Sequence, residues 1–264
     1  MPGILPKAMA QMSKVQEHSS SLVIDDHIKD YLHKMKNFNK PHIDDIYIEQ
    51  AEYNIFKSAL NRLRSLQKTV GHGNFHVLSF NVGLKVGNKY SQVGAFTKEE
   101  LEFMEKIFYT DAKDYGFIDE KPLKKITDRI RNKDVVKIPA TGNYILRGRP
   151  LQVYESIKKE LGENMILTSG IRGVMKQFLL FMNKAYANDG NLSLASRSLA
   201  PPGYSFHSNG DFDIGQVGLG ADNFTERFAT TEVYRRLNEM GYLKLRYPHD
   251  NLLGVRFEPW HIKT

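Results

Sequence analysis

The order of hydrophobic patterns along the chain constrains its fold most, because helical spacing comes first and strand-like spacing is concentrated late. Apolar residues three and four positions apart predict an amphipathic helix within residues 44–66 that ends near Gly71. Alternation typical of strands appears at residues 243–247 and 254–257, and the turn-prone residues 248–251 join them. The chain is therefore predicted to be α+β, with a small antiparallel sheet flanked by helices.

Four further helices are predicted from cap and stop residues. Glu100 lies three residues after Thr97, which is the spacing of a capping box. The other signals are a proline at a first helical position, a threonine cap and glycines at helix ends. These helices begin at Thr97, Pro150, Gly173 and Thr230 or Thr231, and the second and fourth end at Gly162 and Gly241. Residues 165–170 predict a short strand that runs into a turn.

Length and composition are those of a globular protein, with 264 residues of which 41% are hydrophobic. No run approaches the roughly 20 apolar residues that span a bilayer, and the opening residues lack the continuous apolar stretch of a signal peptide. Residues 1–22 are polar and predict a flexible tail. Residues 23–115 predict a helical N-terminal region, and residues 116–264 predict a second domain that holds the polar motifs.

Two features of composition limit the chemistry. The chain has no cysteine, which excludes disulfides, thiolate metal sites and a cysteine nucleophile. Any metal must therefore be held by histidine, aspartate or glutamate. The formal net charge is +7, but lysine and arginine are scattered and no long basic run is interleaved with aromatic residues. This pattern favours a dispersed charged surface, with no nucleic acid as partner.

The stretch SFHSNGDFDIG brings one histidine, two aspartates and two glycines into eleven residues. Such polar groups need partners if they are buried, and a metal ion supplies one. A catalytic zinc site needs about three protein ligands, an open position and a carboxylate that takes a proton from water. His207, Asp213 and His261 can supply the ligands. Glu258, three residues before His261, can be the base.

A second histidine pair is a weaker metal candidate. His72 and His76 have the spacing of a helical metal pair. The glycine and asparagine between them disfavour the helix that would bring their rings together.

Three ordered motifs give the sequence a resemblance to a known family. SGIRGVMKQ at 169–177, APPGYSFHSNGDFDIG at 200–215 and EPWH at 258–261 resemble motifs of the LAS-group zinc D-alanyl-D-alanine carboxypeptidases and dipeptidases. This group includes the vancomycin-resistance peptidases and related phage endolysins, with hedgehog domains as distant fold relatives. The resemblance covers roughly residues 140–264. It implies a LAS/hedgehog-like zinc peptidase core in the domain of residues 116–264, preceded by an N-terminal helical extension.

The resemblance implies one Zn²⁺ per chain, held by His207, Asp213 and His261. The sequence departs from the family at one point, because the family places its aspartate ligand seven residues after the first histidine, where this chain has Ile214. A contraction by one residue aligns Asp213 with the family's aspartate. Asp211 is the competing candidate, and we favour Asp213 because Asp-Ile-Gly preserves the downstream pattern.

The same resemblance implies the catalytic and substrate-binding residues. Glu258 matches the general acid/base, and Arg172 matches the arginine that stabilises charge on the attacked carbonyl. An arginine suits that task because its guanidinium is always charged and carries a rigid fork of donors. Ser205 and Gln177 match residues on the substrate-binding side, Gln177 by supporting the turn that carries the arginine.

The resemblance implies a bacterial metallo-carboxypeptidase that removes the terminal D-alanine from peptidoglycan stem peptides. One alternative is a peptidoglycan endopeptidase of the same family that cuts the L-alanyl-D-glutamate bond. Another is a noncatalytic zinc-containing domain that binds the wall or a partner, although the presence of Glu258 argues against it. The implied location is periplasmic or cell-wall-associated. The sequence leaves the oligomeric state open.

Overall fold

The computed structural model describes residues 29–264. The predicted tail of residues 1–22 lies outside the described residues. The helices of the described part are α1 (29–36), α2 (Tyr53–Val70), α3 (His72–Phe75), α4 (Phe80–Lys89), α5 (Lys98–Tyr109), α6 (Arg149–Leu161), α7 (Val174–Tyr186), α8 (Leu192–Ser196) and α9 (Glu232–Glu239). No helix among these has the length and apolar character needed to cross a membrane.

Short strands in the described residues form two antiparallel sheets, which confirms the predicted α+β class. The strands are β1 (Val135–Lys137), β2 (Tyr144–Leu146), β3 (Met165–Ser169), β4 (Phe212–Gln216) and β5 (His261–Ile262). Strands β1 and β2 pair with each other, and the second sheet has the order β3, β4, β5. Helices α6 and α9 pack against this three-stranded sheet and bury Ile157 and Leu237 on the strand residues Leu167 and Ile214.

The helix-end signals in the sequence act as predicted. The capping box of Thr97 and Glu100 is present at the start of α5. Pro150 lies in the first turn of α6 and Gly162 follows its last residue. The predicted start of the first long helix is wrong, because α2 begins only at Tyr53. The segment before it uses its backbone groups elsewhere, since Ile48 N–H donates to the Gly190 carbonyl.

One hydrophobic core joins the N-terminal helices to the C-terminal half of the chain. Phe56 and Leu60 of α2 are fully buried in the same cluster as Phe178, Phe181 and Met182 of α7. Each such side chain contributes about 1.5–3 kcal/mol to folding when it leaves water. The shared cluster fixes α7 on a base made by the N-terminal region. The division between residues 115 and 116 stays a prediction.

The strands predicted at residues 243–247 and 254–257 are wrong. Leu245 forms only an isolated bridge, to Ile262, and the third strand of the sheet is β5 instead. Backbone groups of the second segment bond to distant loops, as when Arg256 N–H donates to the Arg197 carbonyl. Alternation of side chains therefore arises here from a loop packed between other elements.

Gly254 fixes the path of this loop. Its φ is +75°, and a Cβ there would collide with the carbonyl oxygen of Gly116. We expect Gly254→Ala to lower the free energy of unfolding by about 2–5 kcal/mol, which sums the left-handed backbone cost and the overpacking cost. Gly241 has a similar φ of +71° with no neighbour within 4 Å. Gly241→Ala should therefore cost only about 1–2 kcal/mol. Thermal unfolding of both variants checks the difference, and equal losses would contradict it.

Candidate active site

The three-stranded sheet brings the predicted metal ligands to one place. Asp213 on β4 lies opposite His261 on β5 and opposite Ser169 on β3. Cross-strand neighbours in a sheet lie within reach of each other's side chains. The pairing of β4 with β3 and with β5 therefore places Asp213 between Ser169 and His261. All three residues are buried.

His207 reaches the same point from a one-turn 3₁₀ helix, Phe206–Ser208. Its Nδ1–H donates to the Gly170 carbonyl over 2.8 Å. Because a carbonyl only accepts, this bond fixes the tautomer and leaves a lone pair on Nε2. That Nε2 lies 3.3 Å from Asp213 Oδ1. Neither of these two buried atoms has a hydrogen-bond partner.

The ligand atoms of His207, Asp213 and His261 all lie within 4.8 Å of one another. Buried polar atoms without partners are costly, and a cation between them would satisfy Asp213 Oδ1 and His207 Nε2 together. Two imidazole nitrogens and one carboxylate oxygen form a donor set that suits zinc and leaves a fourth position open. The geometry fits a single zinc ion.

Asp211 has a different environment from Asp213. Its Oδ2 accepts from His261 Nε2 over 3.1 Å and from Arg246 Nε over 2.5 Å, and its Oδ1 accepts from the backbone N–H of Thr264. The bond to His261 turns the other ring nitrogen, Nδ1, towards Asp213 Oδ1 at 3.6 Å. A carboxylate that holds a ligating histidine in this way orients the ring and raises its basicity. Asp211 is therefore suited to support a ligand and not to be one.

The charges of the cluster are set by burial and by close neighbours. Burial alone would raise the pKa of Asp213, but His207 and Arg172 outweigh it and hold the pKa well below its usual range. Burial, with the Arg172 charge, lowers the pKa of His207. Burial alone would lower the pKa of His261, but its hydrogen bonds to Asp211 and Glu258 raise it to about 9. Without a metal the cluster thus combines an ionised carboxylate, a neutral His207 and a protonated His261, which must lose a proton to bind a metal ion.

Arg172 is bound on two sides. Its Nη2 donates to Asp213 Oδ2 over 2.6 Å and its Nε donates to Ser169 Oγ over 2.9 Å. Gln177 is buried and holds the turn from behind, since its amide donates to the Arg172 carbonyl and accepts from Gly203 N–H, each over 2.8 Å. Gln177 does not line the cavity described next. Its contacts fit the support of the arginine turn and not direct contact with a substrate.

A cavity of about 500 Å³ opens on the cluster. Glu258 lines it, with Oε2 at 3.3 Å from His261 Nδ1. Arg172 and Ser205 line the same cavity. A carboxylate, a guanidinium and a hydroxyl therefore share one cavity with the three ligand side chains, which is an arrangement suited to metal-assisted hydrolysis.

Residues His72–Phe75 form a single helical turn, α3, with His76 at its C-cap, although glycine and asparagine disfavour a helix here. His72 and His76 nevertheless belong to none of the three-residue clusters of possible ligands among residues 29–264. His76 lines the cavity instead, and its Nδ1 lies 3.2 Å from the Ile171 carbonyl. The N-terminal region thus contributes a side chain to the wall of the site.

Some residues around the site gave no sequence signal. Arg246 bonds Asp211, and the Tyr247 ring packs edge-on against the His261 ring at 5.4 Å between centroids. Both lie in the segment that was predicted to be a strand. Only the proximity of Asp211 to the ligands in sequence could have pointed to its role.

One protein family is similar to part of the chain. Residues 151–263 match the family model of VanY, D-alanyl-D-alanine carboxypeptidase. This region is thus similar to VanY-type carboxypeptidase domains. The match contains strands β3, β4 and β5 together with all three sequence motifs. No curated protein matches the chain.

Several solved structures are similar to about half of the chain. The vancomycin-resistance D,D-pentapeptidase VanY, as a mutant in complex with Zn(II), is 26% identical with a TM-score of 0.41, and the similarity covers 56% of this chain and 85% of that one. VanYB in complex with D-alanine-D-alanine is 26% identical with a TM-score of 0.42, over 56% and 83% of the two chains. The LD-carboxypeptidase LdcB is 23% identical with a TM-score of 0.42, over 51% and 69%.

Proposed function

We propose that this protein is a zinc-dependent D,D-carboxypeptidase that removes the terminal D-alanine from peptidoglycan stem peptides. The observation that carries the proposal is the cluster of His207, Asp213 and His261 at the wall of a cavity that also holds Glu258. The match of residues 151–263 to the VanY carboxypeptidase family supports the choice of substrate. The proposed substrate lies in the cell wall, and a periplasmic or wall-associated location stays a prediction.

In this proposal His207 Nε2, Asp213 Oδ1 and His261 Nδ1 hold the zinc ion. When bound, zinc supplies Lewis-acid chemistry, which lowers the pKa of a water molecule and polarises a carbonyl. Asp211 keeps His261 in the ligating orientation through the bond to Nε2. Arg172 occupies Asp213 Oδ2 and so leaves Oδ1 for the metal.

Glu258 carries the proton in the proposed reaction. Its carboxylate takes a proton from the attacking water as the new C–O bond forms at the peptide carbonyl. The same carboxyl then gives that proton to the amine as the C–N bond breaks. The water is consumed, and free D-alanine leaves with the proton on its nitrogen.

Arg172 has a second task beside its bond to Asp213. Its Nη2 and Nε are occupied, whereas its Nη1 makes no hydrogen bond with the described residues. Since Arg172 lines the cavity, Nη1 is the donor that can stabilise the oxygen of the attacked carbonyl. A positively charged donor in a half-buried site is suited to this because less water competes there.

We expect Arg172→Ala to lower kcat by about 10²–10³-fold, the loss that follows removal of one oxyanion donor. Arg172→Lys keeps the charge but not the fork, so it should recover only part of kcat. Zinc content measured on the same samples separates loss of catalysis from loss of the Asp213 contact. Normal kcat in Arg172→Ala with zinc bound would contradict the oxyanion role.

D-alanine release from a pentapeptide that ends in D-alanyl-D-alanine tests the function. We expect one zinc ion per chain, loss of release after treatment with a chelator, and recovery when zinc is added back. Release of a dipeptide or cleavage at an internal L-alanyl-D-glutamate bond would support the endopeptidase alternative. Binding of wall fragments without any cleavage by the zinc-loaded protein would support the noncatalytic alternative.

A further inference from the structure

The cavity carries more positive charge than the proposed reaction uses. Lys176, Lys184 and Arg256 line it in addition to Arg172. We call these three residues the cationic wall. None of the three lies within ion-pair distance of a carboxylate in residues 29–264, whereas Arg172 is paired with Asp213. Three cations in one cavity thus make no close ion pair within the described chain, although Glu258, Glu226 and Asp213 act on Arg256 from longer range.

Two of the three residues of the cationic wall, Lys176 and Lys184, lie on one face of helix α7. Lys176, Leu180 and Lys184 are spaced four residues apart and all line the cavity, while Phe178 and Phe181 on the other side of the helix lie in the core. Residues four apart share a helix face, and eight residues span about 12 Å along the axis. The wall therefore extends away from Arg172 by roughly the length of three or four extended peptide residues.

The wall offers two cationic positions. Burial, with Arg172 adding to it, lowers the pKa of Lys176 to about 8, so this lysine is still a cation at neutral pH. Burial also lowers the pKa of Lys184, and here the neighbouring charge is Arg256. Lys176 is thus close to Arg172, and Lys184 is close to Arg256. The wall therefore has one end near Arg172 and another near Arg256. Half-buried cations of this kind are stabilised by an anionic ligand.

Arg256 provides independent support for a ligand at the far end. Its Nε is buried and has no hydrogen-bond partner, and its guanidinium packs at 4.7 Å from the centre of the Trp260 ring. One of its two terminal nitrogens, Nη2, donates to the Phe224 carbonyl over 3.0 Å. The guanidinium is thus held in position by an aromatic ring and a backbone bond, while it retains unused donors.

We propose that the Lys184 and Arg256 end of the cationic wall binds a second carboxylate, carried by one of the three residues that precede the terminal D-alanyl-D-alanine. This inference rests on the proposed function. A carboxypeptidase substrate brings one terminal carboxylate, which the end near Arg172 and Lys176 can meet, so the far end is left for a further anion. The substrate class is then an acidic peptide, and amidation of its internal carboxylate weakens recognition.

Matched peptides test the proposal. Each pentapeptide ends in D-alanyl-D-alanine and carries one acidic side chain at one of the three preceding positions, and its partner has the carboxamide there. For one position we expect kcat/KM of the wild-type protein to be about 10-fold higher for the carboxylate peptide, as one charge-assisted hydrogen bond provides. Lys184→Met should lower that value to the level of the carboxamide peptide and so abolish the preference between the two peptides. Lys184→Arg should keep the preference.

Lys159 supplies the control for net charge. It is exposed on α6 and does not line the cavity, so Lys159→Met should leave both peptides unaffected. Equal kcat/KM for both peptides at all three positions would overturn the proposal, as would an equal loss for both peptides in Lys184→Met. If neither peptide is cleaved, the proposed function fails. The affinities of the same two peptides, measured by calorimetry, then test whether the cationic wall binds a carboxylate. A preference for the carboxylate peptide that is lost in Lys184→Met would support this binding. Equal affinities for the two peptides would overturn it.

Discussion

Glu258→Gln is expected to lower D-alanine release by about 10²–10⁴-fold, the usual loss when a general base is removed. The loss tends to the upper end because one carboxyl serves both the attack of water and the departure of the amine. Glutamine has almost the same shape, so the cavity keeps its form. The carboxylate is not among the three ligand side chains, and zinc should therefore remain bound.

The measurement combines turnover with metal analysis on one set of samples. Wild-type protein and Glu258→Gln should contain equal amounts of zinc and unfold at similar temperatures. Near-normal turnover in Glu258→Gln would show that another group moves the proton. Loss of zinc in this variant would show instead that Glu258 holds the metal, which its 3.3 Å distance from His261 Nδ1 makes a necessary check.

Asp213→Ala and Asp211→Ala should differ sharply in metal affinity. Removal of Asp213 deletes one of three ligands and leaves Arg172 without its carboxylate, so we expect no stable zinc binding and no turnover. Removal of Asp211 deletes no ligand, although it leaves His261, Arg246 and the Thr264 N–H without a partner, and loss of such a supporting carboxylate typically costs about 10–100-fold in metal affinity. Titration of the metal-free proteins with zinc measures both losses.

Asp213→Asn keeps the size of the side chain and guards against misfolding of the alanine variant. It should fold, as judged by circular dichroism, and still bind zinc far more weakly than Asp211→Asn. The reverse order would show that Asp211 is the ligand and that our alignment of the sequence to the family pattern is shifted.

Local signals in the sequence predicted five of the nine described helices, α2, α5, α6, α7 and α9, because each signal depends on a few neighbouring residues. The capping box at Thr97 and the stop at Gly71 are complete within five residues of chain. The sequence favours Asp213 over Asp211 as the ligand, because the Asp-Ile-Gly pattern of the family is retained when the spacing after His207 is shortened by one residue. The structure supports the choice of Asp213, because its Oδ1 lies near both His207 Nε2 and His261 Nδ1. Asp211 instead bonds the other ring nitrogen of His261, Nε2.

The errors concern segments whose backbone partners are far away in the chain. Residues 254–257 alternate like a strand, but Gly254 presses against Gly116 and Arg256 bonds the Arg197 carbonyl. Neither contact leaves a trace in a local window. The cationic wall was missed for a related reason: Lys176 and Lys184 look like ordinary surface lysines until the cavity beside α7 is known.

The core shared by α2 and α7 limits how this protein can be divided into independently folding parts. Residues 151–263, grafted alone into a chimeric protein, would bring Phe178, Phe181 and Met182 to the surface of the graft, and an apolar patch of that kind promotes aggregation. The part of the chain that carries the sequence motifs is therefore not expected to be a stable folding unit by itself. Protein engineers who wish to retarget the activity should add modules outside the helices that support α7, and keep both halves of the joint core in one recombinant unit.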